Sequence, residues 1–447
     1  MPKKGGVMSD HDLSDQEYKA AYWAGCEGVP EGRVALVLTG AGARGAYEAG
    51  FVSRLLPELK QSRPKILVGT SAGAINAALL ATLGHRTAED VSREIVERWQ
   101  RIHKDMVLGS VWVSLLRAGI KYVASLLLGT EGPRSLLDTS PLLFNLKNQT
   151  LIDWDIINDN INNINEDEEP CVDVLAVVTT ESGSGRTKVF YQTRREDLAT
   201  VSSDDLRGID YVRTRLSPEH VLASAAIPVL FPPTFIGSPA RGRFFVDGGL
   251  RLNAPLTPAM AFHANHIIVV STDSRRYGSS AAASIRRSPS MQDHILQIMR
   301  VITSDRMVED VRGLLEQNRL LLKIARDKME RGELREQDRV AIIFGGPSGQ
   351  DDVGSVAARA LEDILRGTRK LNHLDLSLLY WLTSVNPYSR PDVLSYVLFE
   401  PEFISAAIRA GIQDADELIE DNPTERELWT AMCRRYEKKI ERAEGHR

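Results

Sequence analysis

Short apolar runs alternate with amphipathic stretches in the first part of the chain. Arg33 to Leu38 (RVALVL) is a β-branched run typical of a buried strand, and Ala46 to Lys60 follows as an amphipathic stretch. Lys65 to Val68 predicts a second buried strand, and a helix of small residues then extends through Leu83. A glycine-rich turn separates strand from helix each time. This alternation predicts an α/β fold built on a parallel sheet.

Similar patterns continue along the chain. Helices are expected over roughly 88–163, with an interruption at 129–133 and an end at the acidic loop 166–170. Residues 219–233 predict a helix broken at Pro228. Further strands are expected at 171–179, 188–192, 244–246, 266–271 and 340–344. The first two of these strands are expected to pair across the turn SGSGR.

The domain organisation follows from shifts in composition. A tail (1–29) precedes a main domain (30–350) whose motifs lie within 33–275, and a helical C-terminal region (351–447) follows. The stretch 274–290 is rich in Ser, Ala and Arg, which is typical of a linker, and a long helix is expected at 291–331.

Composition and charge exclude several classes of protein. Hydrophobic residues make up 43% of the 447 positions and charged residues 26%, as in ordinary globular proteins. A formal net charge of −5 argues against nucleic-acid binding. Three scattered cysteines provide neither a disulfide framework nor a metal-binding pair, so a reducing compartment is expected. No metal-ligand motif is present.

The location of the protein is predicted from its apolar segments. The N-terminal residues lack the apolar core of an export signal. The most apolar stretch, Val107 to Leu128, is interrupted by Arg117 and Lys121. We therefore expect a cytoplasmic protein that is soluble or peripheral at a membrane.

Gly69-Thr70-Ser71-Ala72-Gly73 matches the pattern G-x-S-x-G of a nucleophile elbow. A serine on a sharp turn between strand and helix presents its hydroxyl above the sheet, and Gly69 and Gly73 avoid clashes in the turn. The following helix N-terminus favours developing negative charge. The apolar strand before the pentapeptide and the helical pattern after it fit an elbow, so Ser71 is a candidate nucleophile.

A second glycine motif, Gly40-Ala41-Gly42-Ala43-Arg44-Gly45, follows the first strand. As a dinucleotide fingerprint it requires an acidic residue at the end of the second strand, where Gly69-Thr70-Ser71 stands instead. As an oxyanion hole it supplies backbone N–H groups at a helix start. Loops after adjacent parallel strands open on the same edge of the sheet, which favours the oxyanion hole.

Asp247-Gly248-Gly249 follows a short apolar strand and supplies a candidate base. Alone it is typical of a turn, but beside the two glycine motifs it completes a catalytic set. The histidines His85, His103, His263 and His266 have no motif around them. A histidine-based triad is therefore kept only as an alternative.

Four blocks together resemble the patatin-like phospholipases: TGAGARGAYEAG (39–50), VGTSAGAINA (68–77), ASAAIPVLFPP (223–233) and VDGGLRLNAP (246–255). The segment SLLDTSPL (135–142) is also similar to that family. The glycine loop departs from the common family pattern at Ala41. The C-terminal third resembles extensions in some bacterial members.

This resemblance implies a fold and a mechanism. The fold is α/β, a mainly parallel sheet with helices on both faces and a helical C-terminal extension. Ser71 is the implied nucleophile and Asp247 its general base, supported by Gly248 and Gly249. The implied oxyanion hole lies in the loop from Gly40 to Gly45, around the amides of Gly42, Ala43 and Arg44. The implied substrate is a lipid ester, notably a phospholipid, and no metal or organic cofactor is implied.

Several interpretations remain open at this point. Apolar residues of 107–128 recur at helical spacing, which favours core packing over an acyl tunnel or a bilayer contact. Arg44 and the linker arginines are candidate headgroup contacts. The alternatives to a patatin-like hydrolase are an α/β-hydrolase esterase with a histidine base, a catalytically silent lipid-binding or regulatory module, and a nucleotide-binding protein.

Overall fold

The computed structural model describes residues 33–40, 42–60, 62–162, 170–272, 340–347, 353–366 and 390–431. The predicted N-terminal tail, the linker at 274–290 and the long helix at 291–331 lie outside the described residues.

Nine strands form one sheet. They are β1 (Val34–Leu38), β2 (Ile66–Thr70), β3 (Val174–Glu181), β4 (Thr187–Gln192), β5 (Ile209–Arg213), β6 (Thr234–Ile236), β7 (Arg243–Asp247), β8 (His266–Val270) and β9 (Ala341–Gly345). Their order is β5-β4-β3-β2-β1-β8-β9, with β7 on β3 and β6 on β7. Pairing is parallel except for β3 with β4, β3 with β7, and β6 with β7. The predicted, mainly parallel α/β sheet is confirmed.

Twelve helices accompany the sheet in the described ranges. They are α1 (Gly45–Leu55), α2 (Ala72–Thr82), α3 (Ala88–Arg101), α4 (Lys104–Val107), α5 (Val111–Leu128), α6 (Ser140–Lys147), α7 (Trp154–Asn162), α8 (Pro218–Ser224), α9 (Leu256–Ala261), α10 (Val353–Arg366), α11 (Arg390–Val397) and α12 (Pro401–Glu420). The helical C-terminal region is therefore present.

Alternation along the strands divides the apolar core into two layers. Val34, Leu36 and Leu38 of β1 point into one layer, whereas Ala35 and Val37 point into the other. Successive strand side chains project to opposite faces, so a strand buried on both faces is apolar throughout. This accounts for the continuous apolar runs of the sequence and for helices on both sides of the sheet.

The C-terminal helices share the first of these layers with α1. Close backbone contact is possible because each helix has a glycine at the crossing. A Cβ on Gly50 would lie 2.2 Å from the Ile408 carbonyl oxygen, and one on Gly411 would lie 2.1 Å from the Tyr47 carbonyl oxygen. The Tyr47 hydroxyl also donates to Asp414 at 2.8 Å. The C-terminal helices therefore pack in the same layer as α1, on one face of the sheet.

Local differences from the predicted elements have physical causes. Strands β5 and β6 were not predicted, because β5 is only half-buried and β6 has three residues. The helix expected over 219–233 ends at Ser224, before Pro228, and an irregular segment follows.

The core packing predicted for 107–128 holds only at its start, where Val107, Leu108 and Val111 are buried, and is wrong for most of α5. Only Val111 and Ala118 of its 18 residues are buried. By length and composition alone this helix qualifies as one that can cross a membrane, a test that core helices of soluble proteins also pass. Its apolar periodicity is genuine, but periodicity does not say what covers the apolar face.

Candidate active site

Strand β3 brings the ends of two other strands together. Thr70, the last residue of β2, pairs with Val178 in parallel register. The next residue of β3, Thr179, pairs with Asp247, the last residue of the antiparallel strand β7. Strands β2 and β7 therefore run towards each other along the same side of β3. Ser71 and Asp247 meet where the two strands end, 176 positions apart in the sequence.

Ser71 occupies a strained turn between β2 and α2. Its backbone has φ 55° and ψ −125°, a conformation that L-residues rarely adopt and that often marks a functional site. The turn leaves no room for side chains on its glycines. A Cβ on Gly69 would lie 2.3 Å from the Gly73 carbonyl oxygen, and one on Gly73 would lie 2.4 Å from the Leu38 carbonyl oxygen. The G-x-S-x-G spacing thus has the steric cause that the sequence predicts.

The Ser71 side chain lies beside the Asp247 carboxyl and favours its charged form. The Gly249 amide donates to Asp247 Oδ1 at 2.7 Å, which fixes the carboxyl orientation. Burial raises the pKa of Asp247 to about 6, although the Ser71 side chain and the Gly249 amide oppose this shift. Gly248 permits the arrangement, because a Cβ there would lie 2.3 Å from the Val178 carbonyl oxygen. A carboxylate with this pKa is a competent base near neutral pH.

The glycine loop lies against Ser71. A Cβ on Gly40 would lie 2.2 Å from the Ser71 Cβ atom, so only glycine allows this approach. Gly42 has φ 58° and, with Ala43 and Arg44, forms a 3₁₀ turn that leads into α1 at Gly45. The first N–H groups of a helix have no acceptor within it, so they suit an oxyanion.

Two polar residues that the sequence did not single out hold this geometry. Ser224, at the end of α8, accepts from the Ser71 amide at 2.9 Å and donates to the Val178 carbonyl at 2.6 Å. Asn253 accepts from the Gly40 amide at 3.2 Å. Ser224 lies within the family block at 223–233 and Asn253 within the block at 246–255. In the sequence, the signal that pointed to these two residues was their position within the two blocks.

A buried polar network lies beneath the loop and the elbow. Glu48 accepts from Thr39 at 3.1 Å and from Asn76 at 3.0 Å. The Trp99 indole in turn donates to the Asn76 side-chain oxygen at 2.6 Å. Burial raises the pKa of Glu48 well above its usual range, more than its hydrogen bonds from Asn76 and Thr39 lower it. The network ties β1, α1, α2 and α3 together behind the site.

Arg44 does not face solvent. Its Nε donates to Ser395 Oγ at 2.6 Å, and its guanidinium lies 4.8 Å from the centre of the Tyr396 ring. Both partners belong to α11, and a Cβ on Gly42 would lie 2.1 Å from the Tyr396 carbonyl oxygen. The prediction that Arg44 is an exposed headgroup contact is therefore wrong, because this side chain joins the glycine loop to the C-terminal helices.

An apolar pocket opens beside Ser71. It contains about 490 Å³ of space, including the part open to solvent, and Gly42 and Ser71 form part of its wall. The remaining wall is apolar, and representative lining residues are Ile75, Ile102, Leu142, Ile227, Phe231 and Phe399. Such a wall suits the hydrocarbon chain of an acyl ester.

The histidines have other partners in the described part of the chain. His85 contacts Asn160, His103 contacts the Arg101 carbonyl, and His220 contacts Ser217. His266 lies edge-on against Trp429, and His263 is exposed. Burial lowers the pKa of His220 and His266 to about 4. These positions give no support to a histidine-based triad. Within the same described residues, no group of three His, Cys, Asp or Glu could hold a metal ion.

Comparison with known proteins identifies the family. The family model described as patatin-like phospholipase matches residues 36–260, just over half of the chain. The chain therefore belongs to the patatin-like phospholipase family, as its four sequence blocks predict, and this membership supports lipid acyl hydrolase activity in general.

The family model covers the residues of the candidate site. The matched range includes Ser71, Asp247 and the whole glycine loop. Among solved structures, VipD from Legionella pneumophila matches with 13% identity and a TM-score of 0.35, over 88% of this chain and 67% of that one. No curated protein matches the chain.

Proposed function

We propose that this protein hydrolyses acyl esters of phospholipids with Ser71 as nucleophile and Asp247 as the single base. One observation carries the proposal: Ser71, on a strained turn, lies beside the buried Asp247 carboxyl and an apolar pocket. A nucleophile, its base and a site for an acyl chain are therefore adjacent.

In the first half of the reaction, Asp247 takes the proton from Ser71 Oγ as this oxygen bonds to the acyl carbonyl carbon. The carbonyl π electrons move to its oxygen, which becomes an oxyanion. We assign the amides of Gly42, Ala43 and Arg44 as the donors to this oxyanion. When the intermediate collapses, the bond from carbon to the leaving oxygen breaks. Asp247 gives its proton to that oxygen, leaving an acyl-Ser71 ester and a free alcohol.

In the second half, water replaces the alcohol. Asp247 removes a proton from the water as its oxygen bonds to the acyl carbon, and the same amides stabilise the second oxyanion. Cleavage of the bond to Ser71 Oγ returns a proton to that oxygen and releases a fatty acid. One base serves both halves, because each half begins and ends with Asp247 unprotonated.

A fluorophosphonate probe tests the nucleophile. The folded full chain is expected to be labelled covalently, with a bond from Ser71 Oγ to phosphorus and loss of fluoride. Ser71→Ala should abolish labelling, whereas Ser184→Ala, on an exposed turn, should leave it unchanged. Intact mass and peptide mapping report the labelled residue. Labelling elsewhere, or a folded wild type that binds lipid but neither labels nor turns over esters, would favour a silent lipid-binding module instead.

The pH profile tests the base. Because Asp247 must be unprotonated and burial raises its pKa to about 6, kcat/KM should be half-maximal near pH 6. Activity should fall by about tenfold for each pH unit below that and level off above it. Initial rates on a soluble short-chain ester between pH 4.5 and 8.5 measure the profile, with circular dichroism reporting the fold at each pH. Full activity at pH 4.5 would contradict this assignment.

A further inference from the structure

We infer that α5 docks the protein on a lipid bilayer, lying in the membrane surface so that the pocket mouth faces the lipid. This inference rests on the proposed function and adds to it the place where the enzyme meets its phospholipid substrate, the bilayer surface. It rests on the exposed surface of one helix, on the charges of that helix and on its attachment beside the pocket.

Most of the exposed residues of α5, from Trp112 to Leu128, are apolar or aromatic. Its exposed apolar and aromatic residues are Trp112, Val113, Leu116, Ile120, Tyr122, Val123, Leu126, Leu127 and Leu128. Leu127 is 77% exposed and Ile120 61% exposed. A contiguous apolar surface of this kind marks an interaction site with a membrane or a protein.

The first half of the helix has a protein-facing side and an outward side, and residues 119–128 include no buried side chain. Val111 and Ala118, seven residues apart, are buried against the body of the protein. Leu116, Ile120 and Leu127 recur at spacings of four and seven and lie on the opposite side. Leu116 to Leu127 therefore form one apolar stripe over about three turns.

Charge favours an anionic lipid surface over a second copy of this chain. Arg117 and Lys121 are exposed at one edge of the stripe, and the helix contains no Asp or Glu. Neither cation forms an ion pair among the described residues. A symmetric contact between two copies would bring these cations together without compensating acids on the helix. Anionic headgroups supply the missing charge, and amphipathic helices with basic residues lie in membrane surfaces in this way.

The attachment of α5 places it beside the pocket. The helix lies in the segment 109–138. The two ends of this segment are joined by a 2.8 Å hydrogen bond from the Gly109 amide to the Asp138 carbonyl. Val107, just before this segment, and Leu142, just after it, both line the pocket.

A second contact fixes the end of segment 109–138, where the chain returns from α5. Leu136 and Leu137 donate to the carbonyls of Val229 and Leu230 at 2.9 and 2.8 Å. The neighbouring Phe231 lines the pocket, and Val229 is itself 55% exposed. A bilayer that receives α5 therefore also meets apolar residues next to the pocket.

Vesicle binding tests the inference without turnover. The full chain carrying Ser71→Ala is sedimented with vesicles of phosphatidylcholine, with or without phosphatidylglycerol. We expect binding that is stronger with the anionic lipid. The double variant I120D/L127D should weaken binding at least about tenfold, because charged groups replace the inserted side chains. Leu206→Asp, at a fully exposed apolar site elsewhere, should bind as before.

An activity comparison separates this inference from the proposed function. With Ser71 intact, I120D/L127D should hydrolyse a soluble short-chain ester within about twofold of wild type, yet lose most activity on vesicle phospholipid. Equal binding by both proteins would overturn the docking role and leave the nucleophile assignment untouched. A wild type that does not bind vesicles but forms a dimer that I120D/L127D dissociates would overturn it in favour of a second copy. Absent labelling of Ser71 with intact vesicle binding would contradict only the proposed chemistry.

Discussion

Asp247→Asn is expected to lower kcat/KM on a soluble ester by about 10²–10⁴-fold, the usual contribution of a general base. Asparagine has nearly the shape of the native side chain and can still accept from the Gly249 amide, so the elbow should be preserved. What it cannot do is accept the proton of Ser71. Labelling of Ser71 by a fluorophosphonate should slow in parallel, because that reaction needs the same proton transfer.

The same substitution should not weaken the fold at pH 8. Burial raises the pKa of Asp247 from 3.8 to about 6, so its folded value lies above its unfolded value. The resulting stability is fully present below about pH 4 and is lost as pH rises through 6. At pH 8 the native protein therefore carries a buried carboxylate that costs on the order of 2–3 kcal/mol, and asparagine removes this cost. Thermal unfolding should show Tm equal to or higher than wild type at pH 8, with the difference shrinking by pH 5.

Asp210→Asn is the matched control, with the opposite expected outcome. Hydrogen bonds from Arg186 and Lys188 hold the pKa of Asp210 well below its usual range. Its stabilising effect is therefore present above the unfolded pKa and lost on acidification. At pH 8, Asp210→Asn should lower Tm but retain activity. An Asp247→Asn protein that keeps most of its activity, or that unfolds when Asp210→Asn does not, would contradict the role of Asp247 as a buried base.

The mainly parallel sheet and the three motifs at its edge were predictable from the sequence. Apolar runs such as Val34 to Leu38 are buried on both faces, and glycine motifs follow two of them directly. The meeting of Ser71 and Asp247 is different, because it depends on the register of β3 against two strands. Residue patterns within one strand do not report register between strands, so the resemblance to the family carried this part of the prediction.

The supporting residues and the outward face of α5 could not be predicted. Ser224 and Glu48 are polar residues inside helical patterns, and their partners are distant in sequence. Their roles follow from burial, which forces each polar atom to find a partner. The stripe of α5 has the same spacing as a core helix, and only the tertiary structure shows that its side chains are exposed.

Truncation after residue 389 should destroy the fold rather than release a latent activity. It removes α11 and α12, which bury Phe403, Ile404, Ile408 and Leu418 in the layer shared with α1. Burying one such side chain contributes about 1.5–3 kcal/mol. The four together therefore contribute an amount comparable to the whole free energy of unfolding of a typical protein, about 5–15 kcal/mol. We expect an aggregating or molten protein without esterase activity. A matched truncation after Ala431 keeps all of these contacts and should remain folded.

Point variants separate support of the glycine loop from support of the fold. Ser395→Ala removes the acceptor that holds the Arg44 guanidinium at 2.6 Å but deletes no apolar contact. Its Tm should fall by a few degrees, as for loss of one buried hydrogen bond worth about 1–3 kcal/mol. On the proposed mechanism, its kcat should fall more than its KM changes, because the amides at Gly42 to Arg44 would lose their fixed position for the oxyanion. If truncation after residue 389 gave a folded protein with raised activity, α11 would be an inhibitory cover instead of a support for the loop.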